Sequence, residues 1–206
     1  MILEKLNELE VNGKTLKVGL AGAGSMGAGI AHQVSITPGM TLSWVADLDI
    51  DKARSVSELA NGCVSGEDVK ELLVSMPVDV FVESTNSIKA ALSYCECAVK
   101  SKAHVVLMNA EVDLAHGEHL QELAVEYDVV VTSDAGDQHG VLATMIEEIK
   151  LWGFQIVQAG NIKGFLDRYA TVEGLQAEAA KRSLNPIQCC AYTDGTKLNI
   201  EMALLC

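Results

Sequence analysis

Three glycines raise the first chemical question. Gly22-Ala23-Gly24-Ser25-Met26-Gly27 follows the pattern G-x-G-x-x-G, directly after the apolar run Lys17 to Ala21 and directly before residues of helical spacing. Each glycine has its own physical reason in such a loop. Gly22 permits the tight turn, Gly24 leaves no Cβ between the backbone and a diphosphate, and Gly27 lets helix and strand pack closely. The helix opening at Ser25 and Met26 offers N–H groups and the positive end of its dipole to the phosphates. A second strand, "TLSWVAD", ends on Asp47, 20 residues past Gly27, the spacing expected of a ribose-binding acid. Together these predict a dinucleotide site. A purely structural turn is the alternative, and FAD or S-adenosylmethionine sites share similar loops. Asp47 accepts hydrogen bonds from a ribose 2′-OH and repels a 2′-phosphate, which favours NAD; Arg54, shortly after it, leaves NADP open.

Further groups fall at the ends of later strands. Glu83, Ser84, Thr85 and Asn86 follow the run "VDVFVES" and are expected to border the nicotinamide ribose, with Glu83 inward and costly if unpaired. Asp137, Gln138 and His139 lie in a strand-end loop, where open α/β sheets bind ligands, so His139 is a candidate acid or base or merely a cap for the next helix. Lys163 and Asp167 flank a glycine turn that suits a phosphate or polyol, against ordinary loop charge. His116, His119 and Glu122 are spaced for a metal, but on an outer helix face, and are read as solvated. The six cysteines include no C-x-x-C and are expected to be reduced and mostly buried.

These residues need a scaffold, and the sequence alternates two signals to build one. The runs "KVGLAGA", "LSWVAD", "VDVFVES", "HVVLMN" and "DVVVTS" read as strands, with helical spacing between them. Met26, Ile30 and Val34 make one apolar stripe; Ile88, Ala91, Leu92, Cys95, Ala98 and Val99 make another, capped by Asn86 or Ser87. Strand–helix alternation with right-handed crossovers predicts a Rossmann doubly wound parallel sheet over residues 1–136. Residues 137–206 are expected to form part of an α+β catalytic domain: a helix at "VLATMIEEIKLWG", a strand and glycine turn in "FQIVQAGNIKGFLDRYA", and helices in "EGLQAEAAKRSL" and "TDGTKLNIEMALLC". The apolar stripe of the last helix has nothing after it to cover it, so a homo-oligomer or a longer chain is expected.

Composition narrows the class. Of 206 residues, 15 are Lys or Arg and 28 are Asp or Glu, a formal charge of −13, which disfavours nucleic acid as a partner. No apolar run is long enough to span a membrane and no signal peptide is visible, so a cytoplasmic protein with a small-molecule substrate is expected.

The motifs "LKVGLAGAGSMG", "VADLD", "VDVFVESTNS", "HVVLMNAEVD", "SDAGDQHG", "GNIKGFLDRYAT" and "YTDGTKLNIEMALL" resemble the N-terminal part of the homoserine-dehydrogenase-like oxidoreductases that carry a SAF domain. That group includes the DXR-like reductases (DRL), which convert 1-deoxy-D-xylulose 5-phosphate with NADPH. The resemblance implies an NAD(P)-dependent oxidoreductase reducing a small polyhydroxylated or phosphorylated carbonyl compound. It implies catalytic roles for Lys197 and Asp194 in "TDGTKL": Lys197 stabilises charge on the carbonyl oxygen and gives a proton, and Asp194, three residues earlier, shares its helix face and orients it. Asn109 is expected beside the coenzyme, and Lys163 and His139 stay candidates for the substrate site on their loop positions. A DXR-like reaction would also admit a divalent metal on the substrate's vicinal oxygens, although no metal-ligand set is identified in the chain. Asn109-Ala110-Glu111 lacks the lysine that homoserine dehydrogenases carry after the asparagine, which argues against homoserine as substrate. Homoserine dehydrogenase and a dinucleotide-binding regulatory module without turnover are the alternatives.

Overall fold

A computed structural model describes residues 1–182 and 184–206. The chain divides into two compact units, Met1–Ser133 and Asp134–Cys206. The first opens with helix α1 (Ile2–Val11) and strand β1 (Leu16–Ala21), then alternates α2 (Ser25–Ile36), β2 (Met40–Ala46), α3 (Ile50–Leu59), β3 (Val64–Gly66), α4 (Val69–Ser75), β4 (Val80–Glu83), α5 (Ile88–Lys100), β5 (His104–Leu107), α6 (Ala110–Tyr127) and β6 (Val131–Ser133). All strand pairs are parallel, in the order β3-β2-β1-β4-β5-β6. The order reverses between β1 and β4, and there the crevice for a ligand opens at the carboxyl ends of the strands.

Local chemistry explains the element boundaries. Asp49 caps α3 by accepting from the N–H groups of Asp51 and Lys52; Asp68 caps α4 through Lys70 and Glu71. Ser87 caps α5 through the N–H of Ala90. Because helices cover both faces of the sheet, the strands are nearly continuous apolar runs with a core on each side. One core gathers Trp44, Phe81, Leu73, Cys95 and Leu120; the other gathers Leu20, Val45, Val56 and Ala31. Trp44 lies over Gly19, where a Cβ would come within 2.3 Å of the indole, and its Nε1 donates to the carbonyl of Met76 at 3.1 Å.

Three sequence expectations change. The three-residue strand β3 lay below the length at which alternation is visible. The buried stripe of α2 is Gly27, Ala31 and Val34, while Met26 is exposed, because small residues let the helix seat closely on β1. Cys97, which the stripe Ile88, Ala91, Leu92, Cys95, Ala98 and Val99 leaves out, is partly buried against the core.

The second unit contains α7 (Gln138–Leu151), α8 (Gln176–Lys181), α9 (Pro186–Thr193) and α10 (Thr196–Leu205). The stretch "FQIV" is not a strand. A strand needs a paired neighbour, and the described residues of this unit supply none, leaving Phe154 and Val157 exposed.

Candidate functional site

The glycine loop has the geometry its spacing implies. Gly22 adopts a left-handed φ of +99°, and a Cβ there would lie 2.6 Å from the carbonyl oxygen of Ser84. At Gly27 a Cβ would lie 1.9 Å from the carbonyl oxygen of Gly22. Both positions are therefore glycine for reasons internal to the fold. Gly24 is different: its φ of −75° suits any residue, and a Cβ would meet no atom within 4 Å. Gly24 is exposed at the N-cap of α2, with Ser25 and Met26 in the first turn, whose N–H groups have no partner within a helix. The loop is a cradle left open toward solvent, and it fits a diphosphate.

Asp47 follows the end of β2 and faces this loop. Its Oδ2 accepts from the N–H of Ala23 at 2.7 Å, and its Oδ1 accepts from the N–H of Asp49 at 2.9 Å. Each oxygen keeps a lone pair for a hydroxyl donor. Arg54 is drawn to Asp51 at 3.3 Å on the exposed face of α3.

Across β1, the ends of β4 and β5 bring the next group together. The Ser84 hydroxyl donates to the carbonyl of Ala21 at 2.8 Å, tying β4 to the loop. Glu83 is fully buried; its Oε1 accepts from the Thr85 N–H at 2.8 Å and from the Thr85 hydroxyl. Asn109, the buried N-cap of α6, donates through Nδ2 to the Thr85 carbonyl at 3.2 Å. Glu83 Oε2 and Asn109 Oδ1 have no hydrogen-bond partner among the described residues. Burial pushes the Glu83 carboxyl up to about 7; the Thr85 hydrogen bonds pull it down, and the Glu111 carboxylate adds to the rise. Burial also pushes the Cys95 thiol up, with Glu83 contributing. Asn86 is exposed on the loop that leads to α5.

In the second unit the structure assembles a polar cluster whose hub the sequence did not reveal. Glu201, on α10, is 1% exposed. Its carboxylate takes Lys163 Nζ at 3.1 and 3.2 Å and Asn161 Nδ2 at 3.3 Å. With its amide turned to donate, Gln138 reaches Glu201 Oε1 at 3.0 Å. Lys163 also lies 5.9 Å from the Tyr192 ring, and both line a cleft of about 570 Å³ with Phe165, Leu184, Cys189 and Thr193. His139 is buried on the first turn of α7, its Nδ1 3.8 Å from Asp137 Oδ2, and neither ring nitrogen has a hydrogen-bond partner among the described residues. The one signal for Glu201 was a lone acid inside the apolar run "NIEMALL".

Asp194 and Lys197 do not share a helix face. Asp194 ends α9, Gly195 turns the chain with a φ of +93°, and Lys197 is half-buried in the first turn of α10. Asp194 instead accepts from the N–H of Thr196 at 2.8 Å, bracing that turn. His119 is engaged by Glu96 at 2.9 Å. Among the described residues, no three His, Cys, Asp or Glu side chains converge as a metal site, and no helix is long and apolar enough to cross a membrane.

Comparison with known proteins accords with this geometry. Residues 22–134 match the family described as homoserine dehydrogenase, NAD binding domain, and residues 136–206 match oxidoreductase DRL, catalytic domain. A homoserine dehydrogenase of Bacillus subtilis (strain 168) is 27% identical over 62% of this chain, which spans 31% of that protein. Scyllo-inositol dehydrogenase from Lactobacillus casei, solved with NAD(H) and scyllo-inositol, shares the fold with a TM-score of 0.56 at 17% identity, over 66% of this chain and 42% of that one. An oxidoreductase from Agrobacterium radiobacter, solved with NAD+, L-tartaric acid and magnesium, gives 0.58 at 14% identity, over 68% and 41%.

Proposed function

Because the chain belongs to the homoserine dehydrogenase NAD-binding domain family, we propose that it is part of an NAD(P)-dependent oxidoreductase that reduces a small polyhydroxylated or phosphorylated carbonyl compound. The observation that carries the coenzyme assignment is Gly24. The fold requires glycine at positions 22 and 27 but not at 24, whose bare, exposed backbone at the N-cap of α2 leaves room for the diphosphate beside the free N–H groups of that helix. Gly22, Ser25, Met26 and Gly27 complete the diphosphate cradle. Ser84, Thr85, Asn86 and Asn109 border the nicotinamide end.

NAD is the better fit. A 2′-phosphate at Asp47 would face that carboxylate, while Arg54 is drawn to Asp51 on the exposed face of α3. When bound, the nicotinamide supplies hydride. The protein's own task is to hold the carbonyl, offset charge on its oxygen and deliver a proton. Lys163 and Lys197 carry ammonium groups for that task, His139 can donate or accept a proton, and Asp194 fixes the turn bearing Lys197. Glu201 holds Lys163 in place at the cleft, whose volume suits a small metabolite. The scyllo-inositol and L-tartaric acid bound by the two similar folds are polyhydroxylated, which supports that substrate class. The DRL match over residues 136–206 supports the finer reading of a DXR-like reductoisomerase, in which a divalent metal would accompany the substrate.

Calorimetric titration with NADH and NADPH tests the assignment. NADH is expected to bind more tightly, and Gly24→Val to keep the fold while weakening binding at least about tenfold, or about 1.4 kcal/mol. No heat with either coenzyme would refute it. A second reading, aspartate-semialdehyde reduction, is favoured by the Bacillus subtilis relative and opposed by the missing lysine in Asn109-Ala110-Glu111. NADH oxidation with that aldehyde by the full-length enzyme decides it.

A further inference from the structure

We infer that Glu83 is a specificity-determining residue that makes the crevice discriminate between the oxidised and reduced forms of the coenzyme. The inference rests on the coenzyme reading above and adds a selectivity to that site. Strand order places the residue. Asp47 lies beyond the end of β2, the loop follows β1, and Glu83 ends β4 on the far side of β1. A dinucleotide with its adenosine ribose at Asp47 and its diphosphate at the start of α2 therefore crosses β1, and its second nucleoside falls over the ends of β4 and β5.

Two buried acceptors wait there without donors, Glu83 Oε2 and Asn109 Oδ1. A buried acceptor left unpaired is costly, and a buried unpaired charge more so. A proton on Glu83 removes the charge and turns Oε2 into a donor. Among the described residues, the groups that act on the Glu83 carboxyl are the Thr85 hydrogen bonds and the Glu111 carboxylate. Cys95 on α5 is a buried thiol, Glu111 on α6 is a second carboxyl, and the register partners on β1 and β5 are Ala21 and Leu107. Burial holds the proton into the neutral range, to about 7.

The two coenzyme forms differ by one charge at the ring: oxidised nicotinamide is a cation, and the reduced ring is neutral. Ionised Glu83 attracts the cation in a medium of low dielectric constant, and protonated Glu83 does not. Repulsion of the diphosphate is common to both forms and cancels in their ratio. The ratio of the NADH to the NAD+ dissociation constant therefore rises with pH through neutrality.

The test is calorimetric titration of the wild-type protein with NAD+ and with NADH at several values between about pH 5.5 and 8.5, a range centred on the Glu83 transition. The ratio is expected to rise about tenfold, as one modest charge interaction gives, with a midpoint near 7. In Glu83→Gln it stays flat. Thr85→Val removes the hydroxyl that stabilises the charged form, so its midpoint moves up; this variant decides the matter should Glu83→Gln not fold. Binding of both forms with a pH-independent wild-type ratio, or an unmoved midpoint in Thr85→Val, overturns the inference and leaves the coenzyme reading standing. Failure of both forms to bind at every pH overturns the two together.

Discussion

Glu83 shows how one buried group shapes stability as well as binding. Its carboxyl ordinarily ionises near 4.5, and burial raises this to about 7 in the folded protein. Between those values the folded state keeps the proton while the unfolded state gives it up, so the unfolded state binds fewer protons and stability falls as pH rises. Below about 4.5 the pH-dependent part of the cost is absent, and above about 7 it is fully present, of order 3 kcal/mol for a shift of this size. Urea denaturation of the wild type and Glu83→Gln across this range checks the sign: the variant gains relative stability as pH rises, and a constant difference would contradict the burial argument. The same scale explains why the Lys163–Glu201 pair escaped the sequence. The partners stand 38 residues apart, and no local rule couples them. Asp194 and Lys197 looked paired because a spacing of three is meaningful only on a continuous helix, and Gly195 interrupts it.

At the scale of elements, the seat of α2 on β1 is the joint on which the proposed coenzyme site depends. Gly27 and Gly29 belong to the same helix but meet different surroundings. A methyl group at Gly27 collides with the carbonyl of Gly22, whereas at Gly29 it meets no atom within 4 Å. Gly27→Ala is therefore expected to displace the helix from the strand, costing about 1–3 kcal/mol and loosening the cradle. Gly29→Ala should instead stabilise by about 0.5–1 kcal/mol through helix propensity, with coenzyme binding intact. Thermal melts of the two variants with and without NADH separate them. Equal effects would show that the helix is not seated as described. The glycine loop was legible in the sequence because its requirements are local, whereas Gly19 beneath Trp44 was not, since that contact joins neighbouring strands.

At the scale of the whole molecule, the chain is two units, and the first contains both cores of its sheet. Residues 1–133 are therefore expected to unfold cooperatively when expressed alone and, on the proposed reading, to bind NADH with the affinity of the 206-residue chain. Circular dichroism and calorimetry on that piece check both points. A non-cooperative transition would show that the second unit is required for the first to fold.

The amino-acid sequence by itself determined the alternation of strand and helix, the parallel sheet and the glycine loop with its acid. These follow from periodicity and from residues close together in the chain, whose geometry is set by backbone sterics. Tertiary structure alone decided that Glu83 and Asn109 share Thr85, that Glu201 gathers Lys163, Asn161 and Gln138, and that "FQIV" remains unpaired. Each of these depends on which distant groups fold into contact, and on whether burial leaves a polar atom a partner.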